Sequence, residues 1–235
     1  MIPVALIAGG KATRLGSLTE NRPKALIEFA GEPFIAHQLR LLRAEGISDV
    51  VVCAGHLGEQ IEAFVGDGRS FGLAVRFSYD GPTLLGTAGA LKKALPLLND
   101  AFFVLYGDSL LPCRYAPIHD VFLANGRLGL MTVYHNEGRW DTSNVELRSG
   151  EIAAYSKRRP AAAMRHIDYG LGLLCRDAVE TLVTSVPCDL EWLYQQLLSR
   201  GQLAAYEVHE RFYEIGSPAG IQDTARYLGS RDAVH

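Results

Sequence analysis

Cysteine is scarce in this chain, with four residues in 235 and no CxxC pair among them. The seven histidines likewise form no HExxH sequence and no Cys/His spacing suited to zinc. A chain of this length buries enough surface to fold without a disulfide or a structural metal. We therefore interpret Cys53, Cys113, Cys175 and Cys188 as small buried hydrophobic residues, and a reducing cytoplasm is the simplest setting for them.

Long apolar runs and an excess of basic charge are also missing. No apolar stretch approaches the roughly 20 residues that a membrane-spanning helix requires. The first residues lack the positively charged segment of a signal peptide. The 23 basic and 26 acidic residues give a net charge of −3 without a basic stripe, which argues against a duplex nucleic-acid partner. We expect a cytoplasmic protein that binds neither membranes nor nucleic acids.

Strand patterns alternate with helical patterns through the first half of the chain. The predicted strands are Val4–Ala8, Asp49–Ala54, Ala74–Tyr79, Ala101–Tyr106 and Leu128–Tyr134, with helical spacing after Pro33, Leu57 and Gly86. This alternation predicts an α/β fold, with a Rossmann-like, mixed but mainly parallel sheet flanked by helices. Ligands of such sheets bind outside the carboxyl ends of the strands. Gly9-Gly10 and Gly107-Asp108 both lie at such ends, so we expect a shared site there.

The pattern changes after about residue 136. Three short strands are predicted, with Ser149-Gly150 as a hairpin turn between two of them. Helices are predicted near Asp177–Thr184, Leu190–Arg200 and Ser217–Leu228. Because no low-complexity linker separates the halves, we expect one domain over residues 1–235, with a nucleotide-binding half at 1–135 and an acceptor-binding half at 136–235.

Two neighbouring segments carry the clearest chemistry. The segment LIAGGKATRL (residues 6–15) runs from a strand into glycines, followed closely by a lysine, a threonine and an arginine. Glycines let backbone N–H groups approach a phosphate, although the spacing matches neither Walker A nor GxGxxG. Ten residues later, Pro23 stiffens the backbone before Lys24, which favours a defined position for this cation.

Together these segments resemble the signature of the sugar-phosphate nucleotidylyltransferases, LAGGxGTRLxPLTxxxPKxLxxxxGxPxI, which stands here as LIAGGKATRLGSLTENRPKALIEFAGEPFI. The similarity continues through residues 55–61, 85–91 and 106–108 and covers nearly the whole chain. It is strongest to short bacterial members, such as heptose and mannose 1-phosphate guanylyltransferases and N-acetylmuramate 1-phosphate uridylyltransferase. The resemblance implies a GT-A-like fold with a small acceptor-binding β lobe.

The resemblance also implies roles for individual residues. The triphosphate would be bound by Arg14 and Lys24, with the loop residues Ala8, Gly9, Gly10 and Thr13. A Mg²⁺ ion would be held by Asp108 and by Glu214, which stands where relatives carry an aspartate. The nucleotide base would lie against the small residues Gly86, Thr87, Ala88 and Gly89, a form found in guanylyl- and uridylyltransferases. The acceptor would meet Lys157, Asp168 and Gly170.

The reaction that these expectations describe joins an NTP, with GTP favoured, to a sugar 1-phosphate and releases pyrophosphate. Two departures keep alternatives open: Ala12 replaces a loop glycine, and Asp168-Tyr169-Gly170 stands where relatives often carry Asn-Ala-Gly. One alternative is UTP- or CTP-dependent transfer to another sugar phosphate or to a small phosphate ester such as phosphocholine, since a carboxylate beside an aromatic ring suits a cationic acceptor. A non-catalytic nucleotide-sugar binding protein is the alternative of another class. A homo-oligomer is compatible with all three.

Overall fold

The computed structural model describes residues 2–10, 15–16, 19–183 and 187–232. The predicted site residues Thr13 and Arg14 lie outside these ranges. The strands are β1 Val4–Ile7, β2 Glu28–Phe29, β3 Glu32–Pro33, β4 Asp49–Ala54, β5 Ala74–Tyr79, β6 Ala101–Tyr106, β7 Ser109–Leu110, β8 Gly129–His135, β9 Val145–Arg148, β10 Glu151–Tyr155, β11 His166–Cys175, β12 Leu203–Val208 and β13 Tyr213–Glu214. The α-helices are α1 Phe34–Ala44, α2 Gly58–Val65, α3 Gly86–Ala94, α4 Tyr115–Asn125, α5 Arg176–Glu180, α6 Leu190–Ser199 and α7 Pro218–Asp232. Within these ranges no helix has the length and apolar character needed to cross a membrane.

The central sheet confirms the predicted fold class. Strands β5, β4, β1 and β6 lie side by side and are all parallel. Beyond β6 the sheet becomes mixed, because β11 pairs antiparallel with both β6 and β8, and β12 runs parallel to β8. The sheet thus contains strands from both halves of the sequence. The assignment of nucleotide and acceptor binding to the two halves stays a prediction.

The strand order places a crevice beside β1. From β1 the chain moves outward to β4 and β5, and then returns to the other side of β1 to form β6. Connections leave β1 and β6 in opposite directions, and ligands of open α/β sheets bind at such a reversal of strand order. Ile7 and Tyr106, the last residues of β1 and β6, are paired in the register of the two strands. Ala8 and Gly107, which follow them, therefore lie side by side at the start of the crevice.

Apolar side chains cover both faces of the sheet. One core packs α1, α2 and α4 against residues such as Leu6, Val52 and Phe103, and the other packs α3, α5 and α6 against residues such as Val51 and Phe102. Successive side chains of β4 and β6 point alternately into these two cores. Nearly all of them are buried, as expected of a parallel sheet covered on both faces. A third, smaller cluster joins Phe29 and Phe34 to Leu110, Ile215 and Leu228, which holds the C-terminal segment close to the end of β6.

The hairpin turn at Ser149-Gly150 is confirmed, since both residues have positive φ, 50° and 80°, between the antiparallel strands β9 and β10. Apart from the two-residue strands β2, β3, β7 and β13, two of these elements were not predicted. Helix α4 has buried residues only at Tyr115, Ile118 and Phe122, and Pro117 near its start obscured the helical spacing. Strand β12 has the sequence LAAYEV, which has little period-2 alternation and few β-branched residues.

Candidate active site

A cavity of about 160 Å³ lies at the crevice between β1 and β6. Five of the predicted site residues line this cavity: Ala8, Gly10, Lys24, Thr87 and Asp108. Its remaining walls come from Ile7, Ala25, Tyr106 and Gly107. The structure therefore brings the glycine loop, the lysine after Pro23, the start of α3 and the aspartate after β6 to one place.

Gly107 is required by the close approach of β1 and β6. Its N–H donates to the Ile7 carbonyl at 2.8 Å. A Cβ on Gly107 would lie 2.7 Å from that carbonyl oxygen and 3.1 Å from the Ala8 Cα. Any side chain at this position would push the strand ends apart, so a glycine immediately before Asp108 keeps the aspartate at the mouth of the crevice.

Lys24 and Asp108 form an ion pair in the cavity, with 2.7 Å between Lys24 Nζ and Asp108 Oδ2. Lys24 begins a single 3₁₀ turn after Pro23, whose φ of −63° is fixed by its ring. The Lys24 side chain is 19% exposed and that of Asp108 is 37% exposed. Both side chains are thus accessible to a ligand that enters the cavity.

Glu214 lies beside this pair. Strand β13 pairs with β7 so that Glu214 is opposite Ser109, and the Ile215 N–H donates to the Asp108 carbonyl at 2.9 Å. Glu214 Oε2, Asp108 Oδ2 and Lys24 Nζ lie 2.8, 3.6 and 3.6 Å from the position that a Cβ on Gly216 would take. Glu214 accepts hydrogen bonds from the Gly216 N–H and, at 2.5 Å, from the Ser217 hydroxyl.

These two carboxylates fit a Mg²⁺ ion. Their oxygens are the hard ligands that Mg²⁺ prefers, and the ion usually retains several waters when only one or two carboxylates bind it. No group of three or more His, Cys, Asp or Glu side chains that could hold a metal occurs in the part of the chain that the structure describes. A magnesium site here would thus consist of Asp108, Glu214, water and the phosphates of a substrate.

Lys157, two residues after the end of β10, reaches the same region. Its Nζ lies 3.0 Å from Asp168 Oδ2 and 3.2 Å from the Tyr106 hydroxyl, and 4.5 Å from the centre of the Tyr106 ring. Burial opposes the charge of Lys157, but the Asp168 carboxylate and Tyr106 outweigh burial, so that the Lys157 pKa is raised. Burial also raises the pKa of Tyr106 to about 12. Lys157 is therefore a cation, and Tyr106 a neutral phenol, at physiological pH.

Tyr106 is a site residue that the sequence did not single out. It lines the cavity that contains Asp108 and also contacts Lys157. Gly170, with φ of +97°, packs on the Tyr106 ring, since a Cβ on Gly170 would lie 3.3 Å from Tyr106 Cδ2. The only signal in the sequence was its position as the last residue of a strand before Gly107-Asp108.

Asp168 and Tyr169 lie in different surroundings from those expected. The Asp168 side chain is 3% exposed, and it accepts hydrogen bonds from Tyr155, at 3.1 Å, and from the Gly170 N–H, at 3.1 Å, besides its contact with Lys157. A direct contact between Asp168 and the acceptor stays a prediction. Tyr169 is 2% exposed and packs edge-on against Phe212 in the core. The expectation that its ring faces a cationic acceptor is therefore wrong, because alternation along β11 directs Tyr169 to the opposite face of the sheet from Asp168.

The start of α3 is also more constrained than expected. The resemblance implied that a nucleotide base lies against the small residues of this turn, Gly86–Gly89. The Cys188 carbonyl accepts hydrogen bonds from the N–H groups of Ala88, at 2.9 Å, and Gly89, at 3.2 Å. These two N–H groups therefore already have an acceptor within the chain. Of the four residues of this turn, Thr87 is the one that lines the cavity.

The sequence has relatives of known activity. Residues 4–140 match the family model described as Nucleotidyl transferase. The chain is 27% identical over 234 residues to mannose-1-phosphate guanyltransferase of Kluyveromyces lactis. This match covers 96% of this chain and 64% of that enzyme. It is 38% identical over 106 residues to N-acetylmuramate alpha-1-phosphate uridylyltransferase of Neisseria meningitidis, covering 45% of this chain and 46% of that enzyme.

A solved structure has the same fold. A putative glucose-1-phosphate thymidylyltransferase from Bacillus anthracis superposes with a TM-score of 0.85, at 18% identity, over 97% of this chain and 95% of that one. The curated relatives above are longer than the matched region, since this chain spans 64% and 46% of their lengths.

Proposed function

Because the chain belongs to the nucleotidyl transferase family, we propose that it transfers a nucleoside monophosphate from an NTP to a sugar 1-phosphate. The observation that carries this proposal is the meeting of Lys24, Asp108 and Glu214 at one point of the β1/β6 crevice, with Lys157 linked to the same cavity through Tyr106. Cations and carboxylates in this arrangement suit two phosphorylated substrates and a divalent ion.

The proposed reaction is an in-line displacement at the α-phosphorus. A phosphate oxygen of the sugar 1-phosphate forms the new P–O bond, the bond between the α-phosphorus and the β-phosphate oxygen breaks, and pyrophosphate leaves. The attacking oxygen already carries negative charge at neutral pH, so no general base is needed. The difficulty is to bring two polyanions together, which positioning and charge neutralisation overcome.

Each residue has a part in this chemistry. Lys24 stabilises the charge that moves onto the leaving pyrophosphate, and Arg14, outside the described residues, would act with it. Lys157 holds the phosphate of the acceptor, and the neutral Tyr106 hydroxyl supports its Nζ. Asp108 and Glu214 would hold Mg²⁺, which neutralises and orients phosphate oxygens when bound.

We favour GTP as the donor and a hexose or heptose 1-phosphate as the acceptor. Support comes from the Gly86–Gly89 form of the base-facing turn and from the guanyltransferase that matches 96% of this chain. UTP is the second candidate, supported by the shorter match to the uridylyltransferase. The burial of Tyr169 removes the structural argument for phosphocholine.

Thermal unfolding in the presence of GTP, UTP, CTP, ATP or dTTP, each with and without Mg²⁺, tests the donor without knowledge of the acceptor. A ligand at about a hundred times its dissociation constant stabilises the folded state by roughly 2.7 kcal/mol, a shift of several degrees for a chain of this size. We expect the largest shift with GTP and Mg²⁺. Pyrophosphate release on adding sugar 1-phosphates then tests catalysis, and binding without release for every acceptor would favour a non-catalytic binding protein.

A further inference from the structure

The segment that leads into helix α6 contacts both predicted subsites. On the nucleotide side, the Cys188 carbonyl accepts the two hydrogen bonds from α3, and the Cys188 N–H donates to the Leu85 carbonyl at 2.8 Å. The Leu190 N–H donates to Thr87 Oγ1 at 2.7 Å. The start of α6 is thus fixed to the first turn of α3, whose Thr87 lines the cavity.

On the acceptor side, the next residue of the same helix holds the backbone around Lys157. Glu191 Oε1 accepts hydrogen bonds from the Lys157 N–H at 2.8 Å, the Arg158 N–H at 3.3 Å and the Ser156 hydroxyl at 3.3 Å. The Glu191 side chain is only 12% exposed. Residues 156–158 follow β10 outside any strand. The Ser156 N–H donates to the Asn144 carbonyl at 3.0 Å, whereas the N–H groups of Lys157 and Arg158 find their acceptor in Glu191.

We propose that Glu191 is a positioning residue, whose carboxylate sets the location of Lys157 relative to the nucleotide-binding helix α3. The inference rests on the proposed function, because it assigns Lys157 to the acceptor phosphate. Lys157 is fixed at both ends: its N–H donates to Glu191 and its Nζ contacts Asp168 and Tyr106. Since reacting groups must be held within fractions of an ångström for efficient transfer, Glu191 acts on catalysis without touching a substrate.

Amide hydrogen exchange tests the structural part of this proposal without any substrate. Glu191→Ala removes the acceptor oxygen, whereas Glu191→Gln keeps an oxygen and loses only the charge. We expect the peptide that contains Lys157 and Arg158 to exchange faster in Glu191→Ala and at an intermediate rate in Glu191→Gln, with no change in α3. Equal exchange in the wild type and Glu191→Ala would overturn the proposal. Glu180→Ala, which removes an exposed carboxylate from α5, is the matched control.

Steady-state kinetics test the catalytic part. We expect Glu191→Ala to lower kcat/KM for the sugar 1-phosphate on the order of 10²-fold, as a displacement of about 1 Å can, with KM for the NTP unchanged. Glu191→Gln should recover part of the loss. An unchanged acceptor KM and kcat, or equal rises in both KM values together with a lower Tm, would overturn the assignment. If the wild type forms no NDP-sugar, the proposed function fails, while the exchange experiment still decides whether Glu191 holds Lys157.

Discussion

Replacement of Lys157 by methionine tests the electrostatics of the acceptor side, because it leaves Asp168 buried without its cation. Loss of one partner of a buried ion pair costs about 3–5 kcal/mol. We expect the lower end, about 3 kcal/mol, since Asp168 keeps the Tyr155 hydroxyl and the Gly170 N–H and the Lys157 side chain is itself 39% exposed. For a chain of this size, each kcal/mol shifts Tm by roughly 2–4 °C, which predicts a decrease of roughly 6–12 °C.

The assay is thermal unfolding of Lys157→Met, Asp168→Asn and the double variant, which form a double-mutant cycle. An amide at position 168 carries no charge, so the double variant should unfold at a higher temperature than Lys157→Met. Arg158→Met is the matched control. Arg158 is 78% exposed, and its pair with the 55% exposed Asp189 is a surface pair worth about 0–1 kcal/mol. Glu191, its other partner, still accepts from the N–H groups of residues 157 and 158 in this variant. A Tm of Lys157→Met equal to that of the wild type, or a double variant no more stable than Lys157→Met, would refute this reasoning.

Three further predictions concern the crevice and its surroundings. Lys24→Ala and Asp108→Asn should each lower kcat by at least on the order of 10²-fold, as removal of one electrostatic stabiliser does, with Tm retained; near-normal turnover in either variant would contradict the assignment. Gly107→Ala should lower the free energy of unfolding, measured with denaturant, by roughly 1–3 kcal/mol, because its Cβ would meet the Ile7 carbonyl. Gly10→Ala is the control: its Cβ would have nothing within 4 Å, so its free energy of unfolding should be close to that of the wild type. Burial raises the pKa of Asp80 above its usual 3.8, so the folded state holds this proton more tightly than the unfolded state, and the contribution of Asp80 to stability falls as pH rises above 3.8. The Tm of Asp80→Asn minus that of the wild type should therefore increase between about pH 3 and 7. A difference in Tm that does not change with pH would contradict the raised pKa.

Local patterns in the sequence were enough to predict the parallel strands and the crevice. Buried runs such as those of β4 and β6 have a period and composition that few other elements share, and Gly107-Asp108 follows such a run directly. The aspartate, the lysine after Pro23 and Glu214 were taken from the resemblance, and the structure places their charged atoms around one point. Their roles in substrate and metal binding remain predictions.

Contacts between residues distant in sequence could not be predicted in the same way. The Cys188 carbonyl meets α3 across about a hundred residues, and no local pattern marks a backbone carbonyl as a partner for Ala88 and Gly89. The direction of Tyr169 depends on the register of β11, where a shift by one residue exchanges the two faces of the sheet. That register is set by the pairing of β11 with β6 and β8, which is a tertiary property.

The most direct test of the proposed function is ³¹P NMR of the purified protein with Mg²⁺, GTP and a sugar 1-phosphate, repeated with UTP. The account predicts that the signals of the NTP and the sugar phosphate fall together while a diphosphate ester and pyrophosphate appear in equal amounts, and that Asp108→Asn slows both products alike. Formation of orthophosphate and a nucleoside diphosphate would place cleavage at the γ-phosphate instead. That result, or no reaction of any NTP across a set of sugar 1-phosphates, would contradict the account.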